Sequence, residues 1–178
     1  MFQNAAEFPF VAQLESHWQD ILQELERIDA GSFLAWPEKY LYEQGWDIFG
    51  LYAFGLKIEK NCHKCPTTTR LVEAIPGMVT AGFSSLQPGT HIAAHTGYPD
   101  GVLRCHLGLT GCAGCTLRVG DETRTWIEGK CLVFDDTTEH EVWHRGSATR
   151  VVLLLDFKLP QGEGRAPGFW QRLWRRER

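Results

Sequence analysis

The 178 residues carry a formal net charge of −4 and 43% hydrophobic content, enough apolar material for one domain with a core and too little length for two. Charges of both signs are mixed along the chain, so no overall basic field exists to hold nucleic acid. No run approaches the length of a membrane span and MFQNAAEFPF lacks the pattern of a signal peptide, so a soluble, cytoplasmic protein is expected.

From Phe10 to Ile28 the apolar residues Leu14, Trp18, Ile21, Leu22 and Leu25 recur at helical spacing between charged ones, which predicts one amphipathic helix over 10–28. Aromatic and turn residues dominate between Ser32 and Lys60, with a strand over Trp46 to Ile58. Thr68 to Ala74 reads as a short helix closed by Pro76-Gly77. From Met78 onward eight short β-type runs follow: VTAGFSSL, HIAAHTG, VLRCHLGL, CTLRVG, ETRTWIE, CLVFDD, HEVWH and TRVVLLLDF. Such runs, punctuated by Gly- and Asp-rich turns, predict a mainly β chain with few other helices. The closed form expected is a cupin-like jelly roll, the double-stranded β-helix, over 78–160. The tail 165–178 is basic and aromatic. Trp170 and Trp174, with arginines beside them, suit either packing on the domain, which is preferred, or contact with an anionic membrane.

The six cysteines include two CxxC units, Cys62 to Cys65 and Cys112 to Cys115. Reduced thiols are the default in cytosol, with a Cys62–Cys65 disulfide or a four-thiolate zinc site as rivals. Three of the seven histidines fall in HIAAHTGYPDGVLRCHLGL. Tyr98-Pro99-Asp100-Gly101 has turn chemistry, so residues 91–109 are expected to form a hairpin with His95 opposite Arg104. Arg104 and His106 share one face by strand alternation. EHEVWH, a turn near Gly146 and ATRVVLLLDF likewise predict His140 opposite Arg150. Two imidazoles and two inward guanidinium groups suit a metal beside a small dianion. By the same alternation His91 shares the face of His95, as a weak substrate contact or a strand-lining residue. His144 and His17 are expected to be solvated.

These residues resemble the aspartyl/asparaginyl β-hydroxylase family of Fe(II)- and 2-oxoglutarate-dependent dioxygenases, through FSSLQPGTHIAAHTG, LRCHLGL, TRTWIEGKCLVFDDTTEHEVWH and TRVVLLLDF. The resemblance implies that His95 and His140 hold the iron. It implies that Arg150, with Ser84, binds the distal carboxylate of 2-oxoglutarate, and that Arg104 and His106 contact the carboxylate at its keto end. Many non-haem iron oxygenases add a carboxylate to two histidines, but Gly97 stands where that acid is expected, and Asp135-Asp136 are assigned to structure. The implied reaction takes O2, releases succinate and hydroxylates a C–H bond, such as the β-carbon of an aspartyl or asparaginyl residue or a related small acid. Amino acids, peptides and lipids all remain open as substrates, as does the oligomeric state. Three rivals stand beside this reading: a halogenase with chloride in the open position, a zinc-binding module, and a cupin-like binding protein without turnover.

Overall fold

The apolar stretch read as one helix breaks at His17. In the computed structural model, which describes residues 1–97 and 101–159, α1 spans Pro9–Ser16 and α2 spans Trp18–Glu26. His17 takes φ −108° and ψ 13°, and its ring Nδ1 lies 2.9 Å from the Gln13 carbonyl oxygen. That local bond closes the first helix and lets the second start at a new angle. His17 is half-buried rather than fully solvated.

The strands are β1 (Phe2–Gln3), β2 (Leu34–Ala35), β3 (Trp46–Ala53), β4 (Leu56–Lys57), β5 (Met78–Leu86), β6 (His91–His95), β7 (Val102–Thr110), β8 (Cys115–Val119), β9 (Glu122–Thr125), β10 (Cys131–Asp135), β11 (His140–His144) and β12 (Arg150–Lys158). Two further helices, α3 (Glu59–Cys62) and α4 (Pro66–Glu73), lie between β4 and β5. The strand expected over Trp46 to Ile58 is two: a turn at Phe54 and Gly55 ends β3 and returns the chain as β4. The eight runs from Met78 onward correspond one to one with β5 to β12.

All pairings are antiparallel, in two sheets. The larger runs β1-β10-β7-β12-β5-β3-β2 with β4 beside β3, and the smaller runs β6-β11-β8-β9. Strand alternation divides the larger sheet cleanly. Phe83 of β5, Cys105 and Leu107 of β7, and Leu153 and Leu155 of β12 point to one side, where Phe10, Leu14 and Ile21 of the helices cover them. Leu86, Phe134, Val152 and Leu154 point to the other side and meet Ile92, Leu117, Val119 and Val142 of the smaller sheet. Strands β7 and β12 are thus buried on both faces, which explains why VVLLLDF shows no polar alternation. The result is the jelly roll expected from the sequence.

Both expected hairpins are absent. β6 pairs with β11, and β7 with β10 and β12, so the two strands of each expected hairpin lie in different sheets. Gly101 has φ +67°, as turn chemistry requires. Tyr98, Pro99 and Asp100 lie outside the described residues, as does the tail 165–178.

One buried charge fastens the helical layer. The Cys65 side chain does not cap α4. Glu24 of α2 does so instead, accepting from Thr67 N at 2.7 Å, Thr68 N at 2.8 Å and Thr68 Oγ1 at 2.7 Å. A carboxylate at a helix N-terminus satisfies orphan amides and suits the helix dipole. Glu24→Ala leaves those donors buried and unpaired. We expect a loss of roughly 1–3 kcal/mol, read as a lower urea midpoint with an unchanged slope.

Candidate active site

Between the two sheets lies a small cavity of about 20 Å³, lined by Ser84, His95, Arg104, His106, His140 and Arg150 among others. All six positions assigned by resemblance converge there. The pairing differs from the hairpin expectation: His95 sits directly opposite His140 in the β6–β11 ladder, rather than opposite Arg104.

A β-bulge makes this possible. Three steps of β6, from Ile92 to His95, span two of β11, from Val142 to His140. The extra residue reverses the alternation, so Ile92 and His95 both face inward. His91 therefore turns outward, against the face that simple parity gave it. It stacks on Trp143 with centroids 5.5 Å apart and pairs with Glu141 at 2.7 Å, so the structure does not bring it into the cavity.

The imidazoles of His95 and His140 lie with ring centroids 4.2 Å apart. His95 Nδ1 lies 2.8 Å from the Ala93 carbonyl oxygen and His140 Nδ1 2.9 Å from that of Thr138. Each Nδ1 is thereby the donor, leaving an Nε2 lone pair, the usual arrangement for a metal-binding histidine. Burial, and then the neighbouring His95, lower the His140 pKa to about 3, so this ring is neutral throughout the physiological range. Among the described residues no group of three or more His, Cys, Asp or Glu is arranged to hold a metal ion. The site offers a pair of nitrogens.

Asp136, fully buried, fills the space that Gly97 leaves. A Cβ on residue 97 would collide with the Asp136 carboxylate, so the glycine leaves room for that side chain. Gly97 N donates to the Asp136 carbonyl at 2.8 Å. Asp136 Oδ1 lies 2.9 Å from Arg104 Nη1 and 3.5 Å from His140 Nε2. Asp135 bonds its own loop through Thr137 N at 3.0 Å. The sequence put this acidic pair next to the site but could not show which member turns inward.

The two arginines differ in their partners. Arg104 is opposite Asp156 in the β7–β12 ladder and donates to it from Nε at 2.7 Å and Nη2 at 3.0 Å. Burial opposes its charge, but Asp156 and Asp136 hold its pKa above the ordinary value. Arg150, 2% exposed, has no carboxylate beside it among the ion pairs of the described residues. Its guanidinium lies over Trp126 at 4.8 Å with the Cys115 and Cys112 thiols nearby, while its Nε is unpartnered among the described residues. Burial lowers its pKa to about 10, so it remains cationic at neutral pH. His106, whose two ring nitrogens are buried and unpartnered, is held neutral by burial and by the flanking Arg104 and Arg150. Ser84 Oγ accepts from Trp46 Nε1 at 3.0 Å, which orients the hydroxyl. Sequence reasoning missed Trp46 and Trp126; an isolated Trp beside a polar strand run was the only signal for the latter.

The other singled-out residues lie elsewhere. All six cysteines are buried free thiols, not the Cys62–Cys65 disulfide. Cys62 and Cys65 sit in the helical layer and Cys112 and Cys115 between the sheets, so the larger sheet separates the pairs and no joint four-thiolate site forms. His144 is buried, contrary to expectation, with Nε2 2.8 Å from the Ala148 carbonyl oxygen. Among the described residues no helix is long and apolar enough to cross a membrane.

A family model described as aspartyl/asparaginyl beta-hydroxylase matches residues 15–160. The chain is 39% identical over 168 residues to the ornithine lipid ester-linked acyl 2-hydroxylase of Rhizobium tropici, a match taking in 88% of this chain and 60% of that protein. It is 40% identical over 162 residues to the aspartyl/asparaginyl beta-hydroxylase of Homo sapiens, taking in 85% of this chain and 21% of that protein. In fold it is similar to a prolyl hydroxylase from Trichoplax adhaerens, with TM-score 0.59 and 17% identity over 80% of this chain and 78% of that one. A Pseudomonas putida prolyl-4-hydroxylase gives TM-score 0.56 and 18% identity over 82% and 88%.

The Gly97 contact is directly testable. Gly97→Ala puts a methyl group into the Asp136 carboxylate and forces it from Arg104. We expect a loss of roughly 1–3 kcal/mol, measured by thermal or urea denaturation; a neutral substitution would mean that the carboxylate has another place to go.

Proposed function

The chain belongs to the aspartyl/asparaginyl beta-hydroxylase family, and from that premise we propose that it is an Fe(II)- and 2-oxoglutarate-dependent dioxygenase that hydroxylates a C–H bond. The observation that carries the reading is Arg150: a buried guanidinium without a carboxylate partner among the described residues, in the same cavity as two imidazoles whose Nδ1 atoms are each bonded to a backbone carbonyl. A cation in that position is costly unless an anion arrives to neutralise it. Orphaned polar atoms on Arg150, His106 and Trp126 fit a small polar anion such as a dicarboxylate.

In this reading His95 and His140 hold iron through Nε2. Bound iron, with O2 and 2-oxoglutarate, supplies the oxidant for hydroxylation, the cosubstrate leaving as succinate and CO2. The protein's own work is positional. Arg150 presents a planar fork to the distal carboxylate, and Ser84, its hydroxyl oriented by Trp46, adds a donor. His106 is neutral and offers one N–H to the carboxylate at the keto end without adding charge near the metal. Arg104 contributes there with whatever donors Asp156 and Asp136 leave free.

For the substrate, the names of the two relatives point to one chemical feature. The 2-position of an acyl chain adjoins the ester carbonyl, and the β-carbon of an aspartyl residue adjoins the side-chain carboxyl. We assign this chain a C–H bond next to a carbonyl carbon, in an aspartyl- or asparaginyl-type residue or a related small acid. The lipid-hydroxylase relative, with the larger share of its own length matched, supports acyl lipids as the second class.

Succinate release from 2-oxoglutarate, screened with Fe(II) and O2 across aspartyl peptides, free amino acids and acyl lipids, tests the reading. Arg150→Ala is expected to lower turnover at least a hundredfold, since removing one partner of a buried charge pair costs about 3–5 kcal/mol. Near-normal succinate release from that variant would contradict the assignment.

A further inference from the structure

The proposed function leaves one orphaned group in the cavity without a task. Trp126 is 3% exposed and lines the cavity, and its indole Nε1–H has no acceptor among the described residues. An indole nitrogen can only donate, and buried Tyr and Trp polar atoms usually find partners. Phe or Leu would fill an apolar gap here without an unpaired donor, so packing alone does not account for indole. The local geometry is specific. The Arg150 guanidinium lies 4.8 Å from the ring centroid, and the His106 ring stacks on the same indole at 5.8 Å and 28°. Trp126 therefore touches both residues assigned to the two ends of the cosubstrate.

Resting on the function proposed above, we infer that Trp126 is a binding residue whose indole N–H donates to 2-oxoglutarate in this cavity, while its face seats the Arg150 guanidinium. The two contacts are separable. The cation–π contact holds the fork in place without spending its N–H donors, leaving them for the carboxylate. The N–H supplies a further bond among buried side chains, where a donor to a charged group is worth more than at the surface.

The test uses the full chain with Zn(II) in place of iron and 2-oxoglutarate as the probe. In protein labelled with 15N at the indole nitrogens, the Trp126 cross-peak, identified by its loss in Trp126→Phe, is expected to move downfield and its solvent exchange to slow when 2-oxoglutarate is added. By calorimetry, Trp126→Phe, which keeps an aromatic seat but lacks the N–H, is expected to bind 2-oxoglutarate on the order of ten-fold more weakly. Trp126→Leu, which removes the seat as well, should bind more weakly again. If wild-type protein binds 2-oxoglutarate but the cross-peak stays in place and Trp126→Phe binds within two-fold of wild type, the inference is overturned and the proposed function stands. If wild-type protein does not bind 2-oxoglutarate, the proposed function falls and this inference with it. The cross-peak shift is read on wild-type protein, and its assignment comes from either Trp126→Phe or Trp126→Leu, so one folded variant is enough to decide the matter.

Discussion

The site is organised around one buried carboxylate. Asp136 lies just beyond β10 of the larger sheet, yet its carbonyl accepts from Gly97 beyond β6 of the smaller one. Its side chain reaches Arg104 of β7 at 2.9 Å and stands 3.5 Å from His140 of β11. One residue thus ties together both sheets, the crossing between β6 and β7, and the histidine pair. The arrangement is possible because residue 97 has no side chain. Its cost is the desolvation of a full charge, offset by the guanidinium of Arg104, which Asp156 anchors in turn. Such a triad contributes less to net stability than to uniqueness of arrangement, because each member left alone would be a buried, uncompensated charge.

That triad also explains why two arginines in one cavity do different things. Arg104 has two carboxylates against it and is electrostatically complete within the protein. Arg150 has a thiol, an aromatic face and an unpartnered Nε. The cavity therefore carries its uncompensated positive charge at Arg150, and that is where an anion gains most by binding. His106, between the two cations, is forced neutral. On the proposed function this gradient would orient the dicarboxylate, its distal carboxylate drawn to the guanidinium and its keto end turned towards His95 and His140.

Much of this was legible in the sequence, and the failures have identifiable causes. The eight β runs from Met78 to Phe157 gave eight strands, because alternation and turn residues are local signals. The convergence of Ser84, His95, Arg104, His106, His140 and Arg150 came from their resemblance to a family pattern, and the structure brings them together. Strand pairing was misread. A hairpin is the default reading of two strands joined by a short turn, but in a jelly roll that turn crosses from one sheet to the other, and nothing local marks the difference. The bulge in β6 was equally silent. One extra residue among Ile92, Ala93, Ala94 and His95 exchanges the faces of His91 and His95, and two alanines leave no bulky side chain to report it. His17 broke the first helix through its own side-chain bond, which the apolar spacing on either side concealed.

The chemistry at residue 97 follows from the same geometry. Replacing an acid by glycine removes a direct carboxylate ligand, and on sequence grounds that opening could admit a halide. In the folded chain the opening is already taken, since Asp136 occupies the volume a side chain at 97 would use and brings its own negative charge. A chloride entering there would have to displace a buried carboxylate from Arg104 or sit against it, and both are unfavourable in a medium that screens charge poorly. The glycine therefore shifts the carboxylate from residue 97 to residue 136, at a distance from the histidines set by the Arg104 ion pair. This argues for hydroxylation over halogenation.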